Sequence, residues 1–501
     1  MSTVAESADR YRIEPTVLQA LRRPRLLTRE VLAGLVVALA LIPEAIAFSV
    51  VAGVDPRVGL FSSFVLAVVI AFTGGRPAMI TAAAGAVALV IAPVAREHGP
   101  DYLIVTIALA GIIQVLMAVL GVARLMRFIP RSVMVGFVNA LAILIFLSQL
   151  PQLIDVPWAV YVLVAVGLGI LVFWPRLTRA IPAPLVAIVL LTVAVVVFGL
   201  SSVPNVADQG ELPRSLPELL IPNVPLTWET LEIVAPYAFA AALVGLLESL
   251  MTAKLVDDIT DTHSRKTREA WGLGVANVVS AFFGGTGGCA MIGQTMINVK
   301  TSGGRTRIST FFAGVWVLIL VVVLGDIVGL IPMAALVAVM IVVSFMTFDW
   351  HSVRPSTLKR MPVSETLVML VTVVATVWTH NLAVGVILGV LAAMVLFARR
   401  VAHFTTVTRS VDGGTARYVV DGELFFASSN DLTTQFAYAA DPAHVVIDLS
   451  RTHVWDASTV AALDAITTKY EQRGTTVELH GMSDAASSFH RRLSGELGSA
   501  G

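Results

Sequence analysis

Two glutamates stand inside long apolar runs. Glu44 lies in Ile42-Pro43-Glu44-Ala45-Ile46 and Glu248 in Leu246-Leu247-Glu248-Ser249-Leu250, 204 positions later. A carboxylate near the middle of a membrane span costs at least ~2.5–3.5 kcal/mol, so it is rare and usually faces a cavity. Burial disfavours the ionised form, so either carboxyl can load and release a proton. The structural alternative is a permanently protonated group that only holds helices together; matching placement in two runs favours function. Thr252, one turn beyond Glu248, can share a proton or cation, or simply bond its own helix backbone. Phe48, one turn beyond Glu44, can wall a pocket. Asp326 and Glu365 sit near run ends and read as interfacial. The single Cys289 excludes a disulfide framework and a Cys-based metal cluster, and reads as a small packing residue. The nine His show no metal-ligand spacing, no catalytic triad is evident, and no G-x-x-x-x-G-K-[ST] occurs. The expectation is therefore no enzyme, no metal and no cofactor beyond a coupling H⁺ or Na⁺.

A second kind of chemistry comes from glycine. Gly74, Gly75 and Pro77 precede one short apolar stretch, and Gly284, Gly285, Gly287 and Gly288 precede another. Neither run suits a helix, so each predicts an extended segment that carries the chain to mid-membrane before a short helix begins. Non-helical backbone at that depth is tolerated only where it is buried or lines a cavity. The two segments enter from opposite sides, so their helix N-termini would face each other. Free N–H groups and positive dipole ends then favour an anion; the alternative is glycine serving close helix packing.

The rest of the chain must hold these groups in a bilayer. Of 501 residues, 56% are hydrophobic and 14% charged, against about 25% charged in ordinary soluble proteins. Runs long enough to cross ~30 Å of hydrocarbon lie at 31–52, 58–73, 102–122, 129–150, 158–174, 182–200, 231–253, 309–331, 333–348, 364–379 and 381–398. With the Gly-rich 77–95, 270–284 and 289–300, they make fourteen segments. With the N-terminus inside, 24 of the 27 basic residues before 404 fall on inner loops and three, Arg57, Arg96 and Arg214, outside. That is a strong positive-inside signal, and it places the protein in a cell (inner) membrane with both termini cytoplasmic. Residues 1–30 form a cytoplasmic lead, 31–403 the transmembrane domain and 404–501 a soluble tail. The tail holds 7 basic and 12 acidic residues.

The acidic, proline-rich linker 202–230 separates seven segments from seven, 31–201 from 231–403. Two halves with an odd number of spans have opposite orientation, which predicts an inverted repeat. The glutamates match at an offset of 204. Ala78-Met79-Ile80 matches Ala290-Met291-Ile292 at an offset of 212. The fold class is an all-α polytopic membrane protein with a 7+7 inverted repeat and a small α/β tail domain.

These residues resemble the SulP / solute carrier 26 family of anion transporters. Pro43-Glu44-Ala45-Ile46-Ala47-Phe48 with Gly59-Leu60-Phe61-Ser62-Ser63-Phe64 is similar to the family's first-helix signature. Pro130 to Leu150 resembles its fifth helix, and Asn298 with Ser302-Gly303-Gly304-Arg305-Thr306 the end of its tenth. The resemblance implies a core and a gate domain in elevator-like motion, a homodimer, and substrate between the third and tenth helices. Thr81, Ala82 and Ala83 would then line one side, and Ile292, Gly293, Gln294 and Thr295 the other, with Glu44 and Phe48 beside them. Many members carry Gln at the Glu44 position, and animal exchangers an Arg where this chain reads Ile292-Gly293-Gln294-Thr295. An added acid and a missing base favour H⁺-coupled symport of sulfate, bicarbonate or a dicarboxylate, with Glu44 and Glu248 as coupling groups. In bicarbonate-carrying members an acid and a Thr one turn later bind sodium. Glu248 and Thr252 look similar, so Na⁺ coupling is the rival.

Two further readings stand beside it: a passive anion channel or exchanger on the same scaffold, and a membrane-bound regulator with the tail as output. The tail's His444-Val445-Val446-Ile447-Asp448-Leu449-Ser450 reads as a buried strand. Asp456-Ala457-Ser458-Thr459 resembles the helix-opening turn of STAS domains. Ala457 stands where the anti-sigma antagonists carry a phosphorylated Ser, and Asp456 suits an N-cap. The partners expected are the anion, the lipid bilayer and a second copy of the chain, with no nucleic acid.

Overall fold

The computed structural model describes residues 15–122, 129–178, 182–212, 215–225, 227–402, 405–482 and 484–493. Arg124, Arg127, Arg179 and Arg214 of the charge count lie outside them, as do residues 1–14 and the 403/404 boundary. The chain divides into two compact units, Met1–Val390 and Leu391–Gly501, and the division falls inside the last long helix.

The first unit opens with α1 (Val17–Arg22), α2 (Pro24–Ala52), α3 (Pro56–Thr73), strand β1 (Thr81–Ala82), α4 (Gly85–His98), α5 (Pro100–Val119), α6 (Arg131–Gln149), α7 (Trp158–Leu177) and α8 (Ala183–Val197). The second half runs α9 (Trp228–Thr260), α10 (Lys266–Phe282), β2 (Cys289–Ala290), α11 (Ile292–Met296, continued by a π-turn over Ile297–Thr301) and α12 (Arg307–Gly329). It closes with α13 (Met333–Thr347), the short α14 (Pro355–Arg360), α15 (Val363–Thr379) and α16 (Leu382–Ala402). Leaving out α1 and α14, the described helices occupy all fourteen expected segments, seven on each side of the linker.

Their contacts sort them into two groups. Helices α2–α5 pack with α9–α12 and form the core domain. Helices α6–α8 pack with α13 and α15 and form the gate. Small residues set the close approaches: a Cβ on Gly111 would lie 2.6 Å from the Gly274 carbonyl in the core, and one on Gly136 2.9 Å from the Met369 carbonyl in the gate. Such contacts draw helices together where lipid offers no hydrophobic drive.

Strands β1 and β2 cross in the core as an antiparallel pair, Thr81 opposite Ala290 and Ala82 opposite Cys289. The repeat is therefore in register at an offset of 208 here. The Ala-Met-Ile match at 212 is not structurally equivalent: it is a chance likeness in a sequence rich in small apolar residues. The glutamate offset of 204 agrees with the starts of α2 and α9.

The second unit is a four-stranded sheet ordered β3-β4-β5-β6, with β3 Thr406–Asp412, β4 Thr415–Leu424, β5 His444–Val454 and β6 Thr476–His480. β3 and β4 are antiparallel; the other pairs are parallel. Helices α17 (Phe426–Leu432), α18 (Ala457–Glu471) and α19 (Asp484–Leu493) complete it. Tyr418, Ile447, Leu463 and Tyr470 are fully buried in its core. Asp456 caps α18, its Oδ1 accepting from the Thr459 amide at 3.0 Å. Asp448 accepts from Ser450 and from the Arg417 guanidinium, the latter at 2.6 Å, and these donors hold its carboxyl well below the usual range.

Two predictions follow from this packing. A Cβ at Gly288 would stand 1.9 Å from the Ala82 carbonyl oxygen, whereas one at Gly293 would meet no atom within 4 Å. Gly288→Ala should abolish the yield of monodisperse protein in size-exclusion chromatography, and Gly293→Ala should leave it at the wild-type level. For Asp448 the depressed folded-state value means stability that is present above its unfolded value of about 3.8 and lost as pH falls below it. Asp448→Asn should speed hydrogen exchange in β5 at pH 7, with a difference from wild type that shrinks steadily below pH 3.8.

Candidate functional site

Two extended stretches meet in the core of the first unit, and side chains hold almost every turn of them. Glu269 on α10 accepts from the Gly75 and Arg76 amides at 2.6 and 2.9 Å. Asn298 donates to the Ala78 carbonyl at 2.8 Å, and Thr310 to that of Met79 at 3.0 Å. Thr295 accepts from the Ile80 amide at 3.0 Å, and Ser63 from that of Ala83 at 3.3 Å. On the other stretch Asn277 accepts from the Gly288 amide at 2.8 Å and donates to the Gln114 side chain at 2.9 Å. Ser249 accepts from the Ala290 amide at 2.9 Å.

Helices α4 and α11 start two or three residues past the strand pair, so their N-terminal turns lie beside the crossing. The first amides of a helix have no intrahelical acceptor, which leaves a positive potential there. Phe48 covers one terminus: its ring lies where a Cβ of Gly85 would be, 2.6 Å from Cε1. Gly293, in the first turn of α11, is exposed and faces open space. Glu44 is partly exposed and reaches the Gln294 side chain. Thr81 is 0% exposed, and its Oγ1 has no hydrogen-bond partner. Glu44 and Gln294 are thus in contact beside the open space at Gly293, and Phe48 lies against Gly85.

Four further expected residues lie on or beside the strand pair. The Ala83 amide is already spent on Ser63, and Thr295 directs its hydroxyl oxygen at Ile80, so both brace the backbone. Ala82 is locked in the strand pair and fully buried. Ile292 is half-buried at the start of α11.

Glu248 occupies the second half. It is 9% exposed, and the Cys289 thiol donates to its Oε2 at 2.9 Å. Cys289 is therefore more than the packing residue expected from sequence, because strand β2 aims its side chain at α9. The hydroxyl of Thr252 is directed at two backbone carbonyls, Glu248 at 2.8 Å and Ala290 at 3.3 Å.

A cavity of about 780 Å³ lies between core and gate, one turn along α2 and α4 from Phe48 and Gly85. Ala47, Val50 and Val90 line its core side, and Gln149, Leu336 and His380 its gate side. Arg96, Glu97 and His380 are its charged or titratable side chains apart from Tyr237. Arg96 also donates to the Val51 carbonyl at 2.8 Å, which closes the end of α2. No group of three or more His, Cys, Asp or Glu that could hold a metal occurs among the described residues.

Sequence reasoning missed the bracing residues Ser63, Gln114, Ser249, Asn277 and Thr310. Single Ser, Thr or Asn residues in apolar runs carry no period. The only available signal was that glycine-rich backbone in hydrocarbon must be satisfied by someone.

Comparison with known proteins agrees with this architecture. The model of the sulfate permease family matches residues 27–160 and 151–372, and that of the STAS domain matches 407–490. YbaR, a candidate sulfate transporter of Bacillus subtilis, is 50% identical over 93% of this chain and 96% of its own length. The bicarbonate transporter BicA of Picosynechococcus sp. is 24% identical over 87% of this chain and 86% of its own. The murine Solute Carrier 26 family member A9 anion transporter, solved in the inward-facing state, shares the fold at a TM-score of 0.80 and 17% identity. That match covers 98% of this chain and 89% of the murine one. With a crossed pair of strands in a fourteen-segment repeat and a C-terminal STAS domain, the chain belongs to the sulfate permease family, whose members are membrane transporters of anions.

Proposed function

We propose that this protein is a secondary active, H⁺-coupled symporter of a small anion, working by elevator-like movement of the core domain against the gate. One observation carries the reading. Gly293 in the first turn of α11 faces open space, the adjoining Gln294 side chain reaches the Glu44 carboxyl, and the buried Thr81 hydroxyl on β1 has no hydrogen-bond partner. Donors without a fixed cation attract an anion, and a carboxyl beside them opposes it until protonated. Proton and anion binding are then mutually favourable. Residues 31–403 perform transport, the STAS domain of 404–501 and the N-terminus lie in the cytoplasm of a cell (inner) membrane, and two copies form the dimer.

Substrate choice rests on chemistry shared by sulfate, bicarbonate and dicarboxylates, because backbone dipoles recognise charge more than identity. The relatives carry both sulfate and bicarbonate in their names. Proton coupling is favoured over sodium by the surroundings of Glu248. Its carboxylate faces a thiol donor, whereas a sodium site needs oxygen acceptors on all sides. Sodium remains the rival because Thr252 draws the Glu248 and Ala290 carbonyls together.

The test is uptake of radiolabelled sulfate, bicarbonate and succinate into proteoliposomes under imposed pH or Na⁺ gradients. An inward H⁺ gradient should drive at least one anion uphill, and Glu44→Gln and Glu248→Gln should each reduce that uptake by at least ~10-fold. Uphill uptake on Na⁺ alone, lost in Thr252→Ala, selects the rival; only downhill flux selects a channel. Deleting 404–501 should leave measurable transport, contrary to a purely regulatory protein. Arg96→Gln, at the cavity between core and gate, should raise KM several-fold with kcat unchanged, an effect that fades at high ionic strength.

A further inference from the structure

We propose that the N-terminal elbow is a binding site for anionic phospholipid headgroups of the cytoplasmic leaflet. Helix α2 has 29 residues, or ~43 Å at 1.5 Å per residue, which exceeds the ~30 Å hydrocarbon core by about two turns. The apolar run starts only at residue 31, so the surplus lies at the N-terminal end. Arg25 and Arg29, spaced i and i+4, therefore share one face in the headgroup layer.

The chain then bends. Arg23 is extended and separates α2 from α1, whose start is fixed by a reciprocal capping box between Thr16 and Gln19. Ala20 of α1 is fully buried. Beyond that anchor the little helix exposes Leu18 at 57% and Leu21 at 54%, beside the exposed Arg22 and Arg23. A groove of about 780 Å³ runs between them, lined by Pro15, Arg22, Arg23, Arg25, Leu26 and Arg29. None of the four arginines has an ion-pair or hydrogen-bond partner among the described residues. Glu30, the acid that follows Arg29, is buried and committed to the Arg305 and Thr306 amides at 2.8 and 3.1 Å.

Four guanidinium groups around a groove, without partners among the described residues and with leucines projecting next to it, match one occupant: a phosphate on an acyl-chain anchor. The arginines take the phosphate as bidentate donors, and Leu18 and Leu21 enter the acyl boundary. The general bias of basic residues toward the cytoplasm explains arginines at this end of α2. It does not explain exposed leucines on a capped turn beside them. The inference rests on the proposed cytoplasmic placement of the N-terminus, but not on transport.

The experiment is lipid retention by the purified full-length protein in detergent, exposed to equimolar phosphatidylglycerol and phosphatidylcholine and read by native mass spectrometry. Wild type should retain phosphatidylglycerol in preference by ~10-fold or more. Arg22→Gln/Arg23→Gln/Arg25→Gln/Arg29→Gln should erase the preference, at roughly fivefold per surface arginine. If that variant cannot be isolated, Arg25→Gln/Arg29→Gln gives the same loss at lower amplitude. Leu18→Ser/Leu21→Ser should weaken retention of phosphatidylglycerol while leaving its binding sensitive to salt. Lys359→Gln/Arg360→Gln, an exposed basic pair on α14, should change nothing. The proposal is overturned if the arginine variants keep the preference, or if the α14 control loses it equally. Transport measured on the same samples separates this result from the symport reading, because failure of either leaves the other standing.

Discussion

A peptide that leaves helical geometry inside hydrocarbon has no water to bond with, so each of its N–H and C=O groups needs a protein partner. Everything else in the core domain answers that constraint at β1 and β2. The two strands satisfy part of each other as an antiparallel pair. Side chains from α3, α9, α10, α11 and α12 satisfy much of the remainder, among them Ser63, Ser249, Asn277, Thr295 and Thr310. These helices therefore cannot move independently of the crossing. A core that shifts as one body is what this bracing produces.

The same constraint explains the glycines. At Gly288 the backbone of one stretch passes so near Ala82 that no Cβ fits, and at Gly75 a Cβ would lie 2.1 Å from the Arg265 carbonyl. Gly293 is different, because nothing is near it. One glycine type serves closeness and the other leaves room. That contrast locates the gap more sharply than the run of glycines does. Glycines serve closeness in the gate as well, where a Cβ at Gly136 would lie 2.9 Å from the Met369 carbonyl.

How much of this was legible in sequence follows from what a bilayer imposes. Fourteen segments could be counted because hydrocarbon thickness fixes span length and the arginines mark one side. Glu44 and Glu248 were visible because a carboxyl in such a run is costly. The helix-breaking entrances of segments 3 and 10 were visible because glycine and proline cluster there. Strand register was not visible. Ala78-Met79-Ile80 and Ala290-Met291-Ile292 look alike, yet the pairing puts Thr81 against Ala290, four residues out of step with that likeness. Three apolar letters carry little information where Ala, Ile and Val are everywhere. The role of Cys289 was hidden for a related reason: the direction of a side chain on a two-residue strand depends on register, and register came from the fold.

On the proposed reading the anion is held by backbone dipoles rather than by a buried cation. A transporter must release what it binds, and an arginine buried next to an anion would hold it with a charge-assisted, bidentate bond. Helix N-termini supply only about half a unit charge each, spread over several amides. Such a site binds weakly and without strong preference among small anions. On the proposed reading, a titratable group then provides the difference between the two faces of the membrane. With Glu44 ionised the gap repels an anion; with Glu44 neutral only the dipoles remain. Glu248, one repeat away, is bonded by the Cys289 thiol of strand β2. Coupling in this arrangement needs no large rearrangement at the site, only a proton arriving with the anion and leaving with it.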